Sequence, residues 1–292
     1  MRYQGGRVLL DPRVHVVFVG SQWGPADANG MPTADPLGVA PAVVDFFGRL
    51  GGKGDTWSTI LTQYCVGTKI NNKTCGPGSR KIPRLAKSPL RGWWVDSTPG
   101  PGQPGIDRGT GALVDPAATR ALEHFGATHP DDIVVLMLPP GVDSPRNCNA
   151  FHSVADTPRG KRPVIVMAYP VPQPTCLGTS PVCDLGKPDT CTPKVEYMIQ
   201  KWASHEYAET VTNPFPTNCL SSTGVCGWIV KDAPVYASRP APLHTEISDT
   251  CATYRFTQLN GKKTVVAALW SNTANKGKGD CVTRYVSDHQ QS

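Results

Sequence analysis

The stretch Val14-His15-Val16-Val17-Phe18-Val19-Gly20 is apolar and largely β-branched, and it ends in glycine. That pattern reads as a buried strand, the start of a central sheet. Working outward, Pro41 to Leu50 has proline at a helix start and Gly51-Gly52 past its end, with Val43, Val44, Phe46, Phe47 and Leu50 turned to the core. Thr56 to Tyr64 reads as a shorter helix. Residues 74–116, which include Pro99-Gly100-Pro101-Gly102, read as a long loop anchored by Trp93-Trp94. Asp115-Pro116 opens a helix to about Phe125, and Ile133–Leu138 and Val164–Tyr169 read as strands. A Pro- and Cys-rich stretch follows from Pro170 to Pro193, then a helical pattern from Lys194 to Thr212 that Asn213-Pro214 ends. A Gly/Ser-rich turn, Trp228 and a segment to Tyr236 come next, then His244 to Tyr254 and a last strand, Thr264–Trp270. No internal repeat is present. The expected class is α/β: a mixed central sheet flanked by helices, with a disulfide-stapled, loop-rich C-terminal part. One domain over 1–292 is expected, divided at about 192/193.

Composition excludes several classes. The 29 Gly and 29 Pro among 292 residues fall short of low-complexity content, and 39% hydrophobic residues allow a sizeable core. No apolar run approaches the roughly 20 residues that span a bilayer. The formal charge is +6, but its lysines and arginines are scattered. The densest group, Arg159-Gly160-Lys161-Arg162, lacks flanking aromatics, so nucleic acid is not an expected partner. Ten cysteines, none closer than seven positions to the next, do not form the close pairs of a zinc ribbon. They indicate disulfides and an oxidising compartment, hence a secreted protein. Met1-Arg2-Tyr3-Gln4-Gly5 begins without an apolar signal region, so an exported form would have lost a leader. Proximity and order suggest Cys65 with Cys75, Cys219 with Cys226, and Cys251 with Cys281.

The chemistry is concentrated in His205-Glu206-Tyr207-Ala208-Glu209. Residues four apart share a helix face, so His205 and Glu209 can reach one ion, with Glu206 one step round beside it. This is the H-E-x-x-H arrangement of zinc hydrolases with a carboxylate in place of the second histidine. The chain has seven His but five Glu, so the pattern is expected by chance about 7 × (5/292)² times, on the order of 0.002. A solvent-washed face would more naturally mix Glu with Lys at i,i+4 than Trp202, Ala203, Tyr207 and Ala208. Glu246, 37 residues after Glu209, is the expected third ligand. Asp249 is the expected acceptor for the free ring N–H of His205. His152 and His244 are further candidates, His152 as a ligand or oxyanion donor. Metal-assisted hydrolysis of a peptide bond follows, with Zn2+ as cofactor, Glu206 as general base and a peptide or protein as substrate. Two carboxylate ligands would weaken the metal as a Lewis acid.

Tyr3-Gln4-Gly5-Gly6-Arg7-Val8-Leu9 and Val19-Gly20-Ser21-Gln22-Trp23-Gly24 resemble the opening of the phosphate-induced protein 1, or EXORDIUM-like, family. Phe151-His152 resembles its C-G-x-H segment. His205 to Glu209 with Thr212-Asn213-Pro214 resembles H-E-x-A-E-x-x-(T/S)-N-P, and Glu246-Ile247-Ser248-Asp249-Thr250-Cys251 resembles E-I-G-D-L-C. Ser248 stands where that family has Gly, and the nearest cysteine to the third motif is Cys148. The resemblance implies an extracellular or cell-wall protein and supplies no reaction. The motifs also look like the thermolysin-like, zincin arrangement, with E-x-x-D here one residue shorter than E-x-x-x-D.

A rival expectation is a non-catalytic extracellular protein whose carboxylates hold a structural ion. Calcium takes six to eight oxygens, and a histidine ligand argues against it. A third is a surface for cell-wall polysaccharide built from Trp93, Trp94 and Trp228. Oligomeric state is not readable from the sequence.

Overall fold

The structure is a computed structural model that describes residues 1–98, 114–140, 150–170, 194–217, 225–231, 244–251 and 253–285. In chain order, the first half gives strand β1 (Arg2–Tyr3), β2 (Arg13–Val19), helix α1 (Val39–Arg49), β3 (Cys65–Val66), β4 (Arg80–Lys81), β5 (Leu90–Asp96), α2 (Val114–His124) and β6 (Asp132–Met137). Then come β7 (Ala150–Thr157), β8 (Gly160–Met167), α3 (Val195–Thr212), β9 (Trp228–Lys231), β10 (His244–Thr245), β11 (Tyr254–Leu259), β12 (Lys262–Ala267), β13 (Leu269–Ser271) and β14 (Asp280–Val282).

The Val14–Val19 run lies in the middle of a five-stranded sheet of order β5-β2-β6-β8-β7. β2 is parallel to both β5 and β6, β6 is parallel to β8, and β7 closes the edge antiparallel to β8. Parallel strands need their faces covered, which is why this run is apolar at successive positions. Val14, Val16 and Phe18 face a core completed by α1 and α3, while Val17 and Val19 face a second core under α2. The result is a mixed sheet flanked by helices. Among the described residues no helix is long and apolar enough to cross a membrane.

Four expectations are corrected. Residues 90–96 are not loop: β5 is the sheet edge, and its half-buried pattern, with Pro and Gly nearby, hid the strand. Its two tryptophans point to opposite faces, Trp93 toward the first core and Trp94 toward the second, where it stacks on His124 at 4.2 Å. Trp228 is fully buried and donates its indole N–H to Cys65 O at 2.8 Å, so the three tryptophans share no surface. The segment carrying His152 is itself strand β7. Finally, the expected strand 264–270 is two strands broken at Ala268, whose N–H turns to Thr253 O. Residues 58–63 are 3-10 rather than α-helical.

The C-terminal part packs on α3. Among the described residues β12 has one strand neighbour, β11, and helix side chains serve its other edge. Gln200 Oε1 accepts the Val265 N–H at 2.9 Å and Ser204 Oγ accepts the Ala267 N–H at 2.8 Å, all buried. Disulfides join Cys65 to Cys75 and Cys251 to Cys281. Cys226 is also disulfide-bonded, while Cys219, its expected partner, lies outside the described residues, as do Cys148 and the 176–191 segment.

Gln200→Leu keeps the volume but leaves the Val265 N–H without an acceptor, which should cost about 1–3 kcal/mol. A lower urea midpoint at unchanged slope is the expected result; an unchanged midpoint would show this contact to be dispensable.

Candidate metal centre

α3 is buried along most of its second half, from Trp202 to Thr212, and ends where Asn213 and Pro214 cannot continue it. Glu206 is 6% exposed and Glu209 is 3% exposed. These carboxylates are therefore not a solvated face. A buried carboxylate needs partners, and besides α3 itself two other elements bring them.

His205 and Glu209 share one face as their spacing requires, with His205 Nε2 at 3.1 Å from Glu209 Oε1. β7 delivers His152: along this edge strand Phe151 faces the α2 core, while Ala150 and His152 face α3. The His152 ring sits among three glutamates, with Nδ1 at 3.3 Å from Glu206 Oε2 and 3.5 Å from Glu209 Oε2, and Nε2 at 3.3 Å from Glu246 Oε1. The turn after β10 delivers Glu246 and Asp249. It is anchored by fully buried Ile247, whose carbonyl accepts the Trp270 N–H, and by the disulfide at Cys251. The Asp249 N–H donates to Glu209 Oε1 at 3.2 Å, and Ser248 Oγ donates to His205 O at 3.3 Å.

Among the described residues, two sets place their ligand atoms within 4.8 Å of one another: His152, Glu209 and Glu246, and His205, Glu206 and Glu209. The expected trio of His205, Glu209 and Glu246 is thus divided between two sets that share Glu209, and His152 enters as a full member. Asp249 is not on the free nitrogen of His205. Its Oδ1 lies 3.3 Å from Nε2, the nitrogen that also faces Glu209, because the backbone of Asp249 is held against that glutamate.

Two residues of the site were not anticipated as such. Tyr254, opening β11, places its hydroxyl 3.4 Å from His205 Nδ1, the position intended for Asp249. Asn213, read as a helix stop, donates from Nδ2 to Glu246 Oε1 at 2.7 Å and accepts the Gly227 N–H at 2.9 Å. Gly227 must be glycine here, since a Cβ would stand 2.0 Å from Thr212 O. Asn-Pro after a helix signals termination; nothing local signals where the amide reaches. The side chain of His244 lies outside the described residues.

The electrostatics follow from an excess of carboxylates over histidines. Burial alone would depress the His152 ring, yet Glu246, Glu206 and Glu209 together hold its pKa well above the ordinary histidine range. His205 is raised in the same way against burial, by Glu209 and Asp249 foremost. Glu209 is the enclosed carboxylate that cannot keep its charge: burial, with Asp249 and Glu246 adding to it, lifts its pKa to about 8 despite His205. Burial also raises Tyr254, which keeps its phenol proton.

The chain matches no protein-family model, and no curated protein or solved structure is significantly similar to it. Its chemistry is argued from the cluster itself. Imidazole nitrogens and carboxylates are the donors zinc accepts. His152 Nε2 is buried and points into the cluster, 3.3 Å from Glu246 Oε1 but without a hydrogen bond of acceptable geometry. The residues fit a divalent metal.

Asn213→Ala removes the bond that orients Glu246. The loss expected in zinc affinity is about 10–100-fold, read by competition with a chromogenic chelator; an unchanged affinity would show that Glu246 needs no such support.

Proposed function

We propose that this chain is a secreted zinc-dependent metallopeptidase of zincin-like architecture. The observation that carries it is the convergence of His152, His205, Glu206, Glu209 and Glu246 in one buried cluster built on an H-E-x-x-E helix. Further support comes from the mixed sheet with an antiparallel edge strand beside that helix. The disulfides support an extracellular location.

When bound, zinc supplies Lewis acidity and a water acidic enough to lose a proton near neutral pH. His205 and Glu209 would hold the metal from one helix face, with Glu246 brought in by the turn after β10. Glu206 is the general base. It lies within 4.8 Å of the His205 and Glu209 ligand atoms, buried, and able to receive a proton from water and pass it to the departing amine. Tyr254 accepts from His205 Nδ1–H and so leaves Nε2 free for the metal. His152 Nδ1 faces Glu206 and can hold that carboxylate in place between transfers.

One observation favours a second reading, a non-catalytic protein with a structural ion. His152 lies inside the cluster, and as a fourth protein ligand it would close the position that a catalytic site leaves open. Glu206→Gln separates the two. The variant should keep its zinc and lose about 10²–10⁴-fold in hydrolysis of a peptide library. Wild-type cleavage by the variant would remove Glu206 as the base, and zinc-loaded wild type that cleaves nothing would favour the structural ion.

Proton counting gives an independent check. His152, His205 and Glu209 all have raised pKa values, so near pH 7 the metal-free cluster holds protons that zinc must displace. Affinity should therefore rise with pH through the region near 8 where Glu209 gives up its own proton. Calorimetry in two buffers of different ionisation enthalpy should show protons released per zinc; zero release would contradict the protonated cluster.

A further inference from the structure

A cavity of about 550 Å³ opens between the β1–β2 connection, the β3–β4 hairpin and the turn that precedes β6, a size within the roughly 300–1,000 Å³ of small-molecule sites. None of its lining residues belongs to the metal cluster. Gly5, Gly6 and Arg7, an N-terminal run that the metal centre does not use, form one wall. Backbone bonds fix that wall, from Gln4 N–H to Gly227 O at 2.9 Å and from Gly6 N–H to Cys226 O at 2.7 Å. Gly6 must be glycine, since a Cβ would stand 2.5 Å from the Cys226 carbonyl carbon. Val8, Leu10, Val66 and Pro130 supply apolar lining.

The carboxylates of the cavity are committed, and its donors are not. Asp131, 5% exposed, accepts the Leu10 and Asp11 N–H groups on Oδ2, each at 2.8 Å, and pairs with Arg7 Nη2 through Oδ1. Asp11 holds Arg13 through Oδ2, with Nε at 3.0 Å and Nη2 at 2.7 Å. His129 Nδ1 accepts the Asp131 N–H at 3.2 Å, which leaves Nε2 as the donating nitrogen of the ring. The contact of Nε2 with Asp11 Oδ2, at 3.9 Å, is too long for a hydrogen bond. Arg80 opposes Val66 across the β3–β4 pair, and among the described residues its guanidinium makes no ion pair or hydrogen bond. On an open surface such an arginine is simply hydrated. Beside an apolar cavity with a second unspent donor, it completes the means of recognising an anion.

We infer that this cavity binds a small organic carboxylate, its head taken by the Arg80 guanidinium and the His129 Nε2–H and its apolar body laid against Val8, Leu10, Val66 and Pro130. The guanidinium fork matches a carboxylate, whereas a phosphate would bring more charge than one uncommitted arginine offsets. The site is separate from the metal centre and does not depend on it.

The test is calorimetry on the full chain, stripped with chelator so that no metal can take the probe, using 4-phenylbutanoate, the matched alcohol 4-phenylbutan-1-ol and inorganic phosphate. The acid should bind at about one per chain, with the alcohol and phosphate at least tenfold weaker. Arg80→Gln and His129→Gln should each weaken the acid by about tenfold or more. Arg80 is exposed, so its variant probes the ligand contact without endangering the fold. An acid that does not bind, an alcohol that binds equally well, or an Arg80→Gln chain of unchanged affinity would overturn the carboxylate site. Phosphate binding tighter than the acid would overturn the organic ligand. Each of these results leaves the zinc reading as it stands, and a chain that binds no zinc leaves the cavity as it stands, so the two fail separately.

Discussion

Glu209 is a carboxylate placed where an interior would ordinarily exclude it, 3% exposed on a helix that is itself buried. Charge there is tolerated only against partners, and the architecture of the region is largely the supply of those partners. His205 comes from the preceding turn of the same helix. His152 comes from the sheet edge, and the Asp249 N–H from a turn some 40 residues later. Removing any one would leave a buried polar group without a partner, so α3, β7 and the 246–251 turn are locked to a common geometry.

That dependence explains why the supporting contacts are mostly polar and mostly made by α3. Gln200 and Ser204 tie the helix to β12, Ser248 ties the turn back to the His205 carbonyl, and Asn213 joins the helix end to both Glu246 and Gly227. The sheet supplies rigidity from below: β2, β6 and β8 are buried on both faces, and strands of that kind position an edge residue such as His152 better than a loop could. Sheet and helix meet through one continuous core that runs from Met1 to Leu269.

What could be read in advance divides along the same line between local and distant. The buried strand at 14–19 and the helix at 195–212 declared themselves through periodicity and punctuation, and the His205/Glu206/Glu209 set through spacing on one helix, because each needs only near neighbours in sequence. The edge strand β5 did not: half-exposed, interrupted by Gly92 and followed by Pro and Gly, it lacks alternation. His152 was visible as a candidate but not as the residue among three glutamates, since that depends on an antiparallel pairing with β8 that no local signal specifies. Tyr254 and Asn213 carried no signal at all, because a tyrosine at a strand start and an asparagine at a helix end have ordinary local reasons to be there.

The disulfide at Cys251 acquires its meaning from the same charges. Glu246 must be held near Glu209, a group it repels when both are ionised, and Glu246 sits on a turn with little apolar surface beyond Ile247. Hydrophobic burial at Ile247 and one hydrogen bond from Asn213 hold it from within. The Cys251–Cys281 bridge closes a 30-residue separation just beyond the turn, a constraint worth roughly 3.5 kcal/mol in the chain-entropy account. A covalent tie of that size keeps the carboxylates together on its own, so that a cation, if bound, would meet ligands already assembled and would not have to order them.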